Sequence, residues 1–167
     1  MGIELGSHRA TLSFTRPNNT TAYTAGDVLG TSTSAVHTIS AFGRTGGFLQ
    51  IQSVRLIINI ATVPSGMAGF RLHLYQVAPT AIVDNAAYDL VAADRDGYRG
   101  YVDLPTPQDF GSTLVSQLDY AGMLYQNLPN ASLVYAQLQT LGGFTPGAVS
   151  EVYDLRLNAL DAGYRSS

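Results

Sequence analysis

The chain has 167 residues, enough for one domain with a sizeable core and too few for two of ordinary size. A net charge of −3, with no basic run, argues against nucleic-acid binding through phosphates, and the absence of Cys removes disulfides, thiolate metal sites and cysteine nucleophiles together. Charged residues make up 13% of the chain, about half the usual share of roughly 25%, and all nine basic residues are Arg. Arg is the cation of desolvated, planar contacts, so the balance leans toward surface hidden against partners, with a neutral Ser/Thr/Asn/Gln surface as the alternative. No apolar run reaches bilayer-spanning length, and residues 1–6 lack a basic segment followed by an apolar one. A soluble chain with no membrane partner and no Sec-type signal is expected.

Arg9 to Thr15 alternates, with Ala10, Leu12 and Phe14 opposed to Thr11, Ser13 and Thr15, which predicts a first strand. Arg16-Pro17-Asn18-Asn19 breaks it, because Pro cannot donate to a ladder and Asn-Asn favours turns. Thr24 to Asp27 is a second turn signal, and Ala35 to Phe42 reads as a strand with His37, Ile39 and Ala41 on one side.

The central run, Phe48 to Ile60, alternates but slips in phase. Leu49 and Ile51 share one parity, then Val54, Leu56, Ile58 and Ile60 take the other. A β-bulge near Gln52-Ser53 would restore a single buried face. After a turn at Val63 to Gly66, Phe70, Leu72 and Leu74 point one way and Arg71, His73 and Tyr75 the other.

Residues 84–93 combine an N-cap-like Asp84-Asn85 with helix formers, which predicts one short helix with Ala87, Leu90 and Val91 on one side. Tyr98, Gly100, Val102 and Leu104 then alternate with Arg99, Tyr101 and Asp103. Strands are predicted at 112–118, 123–128 and 132–141, with Val134, Ala136 and Leu138 opposed to Tyr135, Gln137 and Gln139. The last strand sets Tyr153, Leu155, Leu157 and Ala159 against Asp154, Arg156 and Asn158. About eight short strands at roughly ten-residue spacing define an all-β, antiparallel sandwich or barrel. One domain is expected over 1–167, with an arm at 1–8 and a loose tail at 161–167.

Motifs for chemistry are sparse. His8, His37 and His73 form no pair at metal-ligand spacing, and Gly-x-Ser-x-Gly is absent. His37 reads as a satisfied, half-buried histidine, and His73, beside Arg71 and Tyr75, as solvated or facing a partner. Asp94-Arg95-Asp96-Gly97 has two positions of a calcium loop but lacks the distal Glu, so a turn explains it. Glu4 and Glu151 are the only Glu residues, a thin supply for glycoside hydrolysis. Asp154 and Arg156 are candidates for modest surface ion pairing across strands. No cofactor, no metal and no catalytic residue is expected. Tyr75, Tyr101 and Tyr135 fall on the parity opposite the apolar faces, a placement found at protein interfaces and also on ordinary outer sheet faces.

The segment from Arg16 to Val28 resembles the opening of small proteins encoded by tailed bacteriophages. So do Leu72 to Tyr75, Asp84 to Tyr88, Ala93 to Tyr101 and Tyr135 to Pro146. As a group these segments are similar to capsid decoration, or cement, proteins. The resemblance implies a jelly-roll-like sandwich on the outside of a phage head, often a homotrimer, tying neighbouring major capsid protein subunits together. It implies a virion location after synthesis in the host cytoplasm, and no reaction. Under that reading Ile3, Leu5, Arg16, Pro17, Asn18 and Asn19 would contact the shell. Asp84, Asn85, Tyr88, Arg99 and Tyr101 would contact other copies. A carbohydrate-binding host-adhesion module, with Tyr98, Tyr101 and Asp103 as platform and acceptor, is the alternative, as is a head–tail or tail component.

Overall fold

In the computed structural model, residues 6–127 and 131–163 are described, and the alternating runs become strands of two facing antiparallel sheets. In chain order these are β1 (Ser7–Thr15), β2 (Val28–Leu29), β3 (His37–Ile39), β4 (Phe48–Ile58) and β5 (Phe70–Tyr75). Then come β6 (Tyr98–Leu104), β7 (Gln108–Asp109), β8 (Leu114–Gln126), β9 (Val134–Thr140) and β10 (Val152–Gly163). One sheet has the order β1-β10-β4-β8-β7, and the other β2-β9-β5-β6, with β3 also paired to β9. Apart from β2–β3, β5–β6 and β7–β8, each step along the chain crosses from one sheet to the other. That wrapping of two Greek keys is a jelly roll.

The fold puts the predicted faces inside. Leu49, Ile51, Val54, Leu56 and Ile58 of β4 are all fully buried, and Gln52 is the residue skipped in the ladders to both neighbours. The bulge read from the phase slip is therefore present. On the β8 side the chain takes up the mismatch with an excursion over 120–122, since Ile51 pairs with Met123 but Ser53 with Asp119. Tyr120 and Gly122 hold positive φ there, 62° and 65°. The two strands expected over 112–128 are thus one long strand with a kink.

Between the sheets the rings interlock. Phe14 of β1 stacks on Tyr153 of β10 at 5.4 Å and on His37 of β3 at 4.1 Å. Phe70 meets Tyr153 and Phe144 edge-on, each at 6.4 Å. Such pairs add roughly 0.5–1.5 kcal/mol each beyond the area they bury.

The helix expected over 84–93 does not form, and a three-residue 3-10 turn at Ala92–Asp94 is all the helix among the described residues. Asn85 sits at φ 63°, outside a right-handed helix. The backbone around it is spent on the edge of β2: Val28 N–H donates to Ala86 O, Asn85 N–H to Val28 O and Tyr88 N–H to Gly26 O, each at 2.9 Å. Non-local pairing overrides a local propensity worth only tenths of a kcal/mol per residue. The strand expected over 35–42 is only three residues long, and Ala41 turns away with φ 55°. At the chain ends β1 begins at Ser7 and β10 continues to Gly163, so Ser7, His8 and residues 161–163, expected in the arm and tail, belong to strands.

Candidate functional site

Of the residues singled out for contact, Ile3 and Leu5 lie outside the described residues. The others gather in two places, both along the segment between β5 and β6.

The first is a corner where the chain leaving β1 meets residues 84–85. Arg16 N–H donates to Glu151 O at 2.9 Å, extending the β1–β10 ladder and turning the side chain inward. Arg16 is 2% exposed, so it is no shell-facing residue. Its guanidinium lies over the Tyr23 ring at 4.7 Å, donates through Nε to the Tyr23 hydroxyl, and stands 3.6 Å from Glu151 Oε2. Glu151 in turn accepts from Ala148 N–H at 3.0 Å and from Tyr153 OH at 3.1 Å. The Tyr23 hydroxyl donates a hydrogen bond to Asp84 Oδ1 at 2.7 Å, where Gly30 N–H also donates at 2.8 Å. Burial, moderated by the Arg16 contact, holds the Tyr23 hydroxyl well above its ordinary pKa, so it donates at any physiological pH. Outside this buried chain of contacts, Pro17, Asn19, Thr21, Ser32, Val83, Asp84 and Asn85 line a shallow cavity of about 340 Å³. The structure thus joins the 16–19 turn to 84–85, a link that sequence spacing does not show.

The second place is the outer face of the β2-β9-β5-β6 sheet, where His73, Tyr75, Tyr98, Tyr101, Gln137 and Gln139 stand. The segment between β5 and β6 folds over part of it, and Tyr88 closes the cover. Its ring stacks on His73 at 3.7 Å with 10° between planes, and its hydroxyl meets that of Tyr75 at 2.8 Å. Tyr75 OH donates onward to Gln137 Oε1 at 2.9 Å. His73, read from sequence as solvated or facing a partner, is 3% exposed beneath a segment of its own chain, and Tyr75 is buried with it. His73 Nε2–H donates to Gln139 Oε1 at 3.1 Å, leaving Nδ1 to accept from Tyr98 OH at 3.0 Å. That arrangement suits the neutral ring, and burial pushes its pKa down to about 4, against the partial support of Gln139.

Tyr98 faces outward with Tyr101, contrary to simple alternation. Leu74 pairs with Gly100 and Tyr75 with Tyr98, so Arg99 is an extra residue at a bulge, with Gly100 at φ 107°. Arg99 is half-buried and donates to Gln76 Oε1 and, at 2.8 Å, to Asp96 O. Tyr101 is 50% exposed, but Arg71 covers one face of its ring at 3.9 Å. The same guanidinium grips both oxygens of Asp103 at 2.7 and 2.9 Å. A sugar using Tyr101 and Asp103 would have to displace it.

Two smaller expectations resolve simply. His37 is buried, with Nε2–H donating to Leu29 O at 3.0 Å. Arg156 pairs with Asp154 along its own strand at 2.7 Å.

Sequence reading missed the side chains most open to a partner. Tyr120 is 89% exposed, Phe110 67% and Leu124 62%. Tyr120 sits on the kink of β8, opposite the bulge at Gln52, in the stretch between the two strands expected at 112–118 and 123–128. The available signal was a large aromatic ring set between Asp119 and Ala121 where the alternation breaks.

By fold this protein is an all-β jelly roll, as its strand order shows. No family model matches it, and no curated protein does. Among solved structures it is similar to a chain of the capsid of Ralstonia phage GP4, with a TM-score of 0.44 and 11% identity over 98% of this chain and 88% of that one. A chain of the cyanophage Pam1 capsid gives 0.35 and 9%, over 96% and 88%. The Cocksfoot mottle virus protein gives 0.34 and 8%, over 96% and 95%. At such scores these likenesses add nothing to what the strand order already establishes.

Proposed function

We propose that this chain is a structural protein of a phage virion, a single-domain jelly roll that binds the outer surface of the capsid and ties neighbouring major capsid protein subunits together, as a homotrimer. The observation that carries the reading is the outward display of Tyr120, Phe110 and Leu124 on a sandwich whose core is otherwise closed. Large apolar side chains held in water by a rigid scaffold suit contact with another protein. The low charge of the chain and the resemblance of its segments to decoration proteins point the same way. The work is adhesion without a catalytic step: each contact is weak, and repetition over a shell supplies the strength.

Within this reading Ile3, Leu5 and the Pro17–Asn19 turn face the shell, and the exposed side of Tyr101 faces other copies. Arg16, Asp84 and Tyr88 serve instead to hold those surfaces in place. The test is co-sedimentation of the purified protein with capsids lacking it. Saturable binding is expected, weakened at least tenfold by Tyr120→Asp or by removal of residues 1–5. A protein that never sediments with the shells, at any concentration, overturns the proposal.

A further inference from the structure

The β1 strand is an open edge of its sheet, and its hydrogen bonding can be worked out residue by residue. Asp161 N–H donates to Gly6 O and Arg16 N–H to Glu151 O, both at 2.9 Å, one at each end of the β1–β10 ladder. The register between them is unbroken. Bonded pairs in an antiparallel ladder fall on every second residue, so His8, Ala10, Leu12 and Phe14 bond to β10. The N–H and C=O groups of Ser7, Arg9, Thr11, Ser13 and Thr15 point the opposite way, and among the described residues nothing pairs with them. All five of those residues are exposed.

Proteins blunt such edges with Pro, bulges, short strands or charge. The other edges here are blunted: β7 and β2 have two residues each, β3 has three, and β6 carries the bulge at Gly100. The nine residues of β1 have no Pro, no bulge and one charge, Arg9.

We infer that β1 pairs with β1 of a second copy, antiparallel about a two-fold axis at Thr11, joining two five-stranded sheets into one. The sequence is self-complementary in that register. Thr11 meets Thr11, Ser7 meets Thr15 and Arg9 meets Ser13. Hydroxyl pairs are favourable cross-strand neighbours, and no like charges are opposed. Ser13 is itself paired with Asp154 in the next strand inward, so each incoming Arg9 approaches a carboxylate. All facing positions are odd-numbered, as the free backbone groups require, and the two strands exchange about ten hydrogen bonds. The inference does not depend on a virion role.

The test uses the full chain. Sedimentation across a concentration series is expected to show pairing, with amide exchange at Arg9, Thr11, Ser13 and Thr15 slowing as concentration rises while Ala10 and Leu12 stay unchanged. Thr11→Pro removes an edge-facing donor without touching the β10 ladder, and abolishes the pairing while leaving thermal unfolding of the single chain close to wild type. Ser13→Glu, placed against Arg9 twice in the pair, tightens association and Ser13→Lys weakens it, each by roughly 2- to 30-fold. Fast exchange of the odd-numbered amides at every concentration overturns the inference. So does a concentration-dependent doubling of mass that survives Thr11→Pro or ignores the charge at residue 13; the trimer contacts proposed above use another face, and both variants leave them intact.

Discussion

Arg16 carries a full charge into the interior, and its neighbours determine what removing it costs. With Arg16 and Glu151 2% and 1% exposed, either one alone is a buried charge without its counter-ion. Arg16→Ala or Glu151→Gln should therefore destabilise the fold by about 3–5 kcal/mol, whereas Arg71→Ala, at a partly exposed pair, should cost about 1 kcal/mol or less. Urea unfolding of the three variants checks the contrast, and equal losses would remove the special standing of the buried pair. His73 makes a second statement at this scale. Its pKa is about 4 in the fold against an ordinary 6.5, and burial lowers His37 in the same direction. Between those values the unfolded chain binds more protons than the folded one, so stability rises with pH there. It is fully present above about pH 6.5 and falls as the pH drops toward 4, by up to about 1.4 kcal/mol per pH unit from His73, with His37 adding in the same direction. His73→Gln should flatten that slope in denaturation series at pH 7, 5.5 and 4.5; an unchanged slope would mean that His73 does not titrate in this way. Neither behaviour could be read from sequence. An Arg beside Pro-Asn-Asn looks like part of a wet turn, and only Tyr23, Glu151 and Asp84, brought from distant parts of the chain, make it interior.

Among the elements, β4 shows what a sequence can disclose. Its phase slip lies within one continuous run, so parity alone located the bulge at Gln52-Ser53, and Gln52 is indeed the residue passed over by both neighbours. Deleting Gln52 moves Val54, Leu56 and Ile58 onto the parity of Leu49 and Ile51, so a regular strand could bury all five without a bulge. The variant is therefore expected to keep cooperative unfolding, read in a urea series. Gln52→Ala, which keeps the residue count, should stay within about 0.5 kcal/mol of wild type. A deletion variant that lost cooperative unfolding would show that the bulge does more than set the parity of the buried face. The bulge at Arg99-Gly100 was not legible in the same way. Tyr98 to Leu104 alternates without a visible fault, and only the ladder to β5 reveals that Tyr98 and Tyr101 share a face. The 84–93 segment failed for a related reason: its helix formers were weighed locally, while its backbone partners lie at Gly26 and Val28.

In the molecule as a whole, the cover closed by Tyr88 on one sheet and the open edge of β1 on the other give the two sheets unlike surroundings. The alternation in β4, β5, β9 and β10 was enough to read an all-β sandwich from the chain, because every one of those strands keeps its apolar face toward the same core. The candidate contacts were harder to locate, since exposure of Tyr120 or burial of His73 depends on which loop folds over which sheet. The pairing of the first long strand with the last has a practical consequence. Gly6 and Asp161 are hydrogen-bonded neighbours at 2.9 Å, so the described ends of the fold emerge side by side. A short peptide linker could join them, and the chain could be reopened at the exposed loop near Gly111, giving a circularly permuted protein with the same interior. Passenger sequences fused at that new opening would be carried on the opposite flank of the sandwich from Gly6 and Asp161.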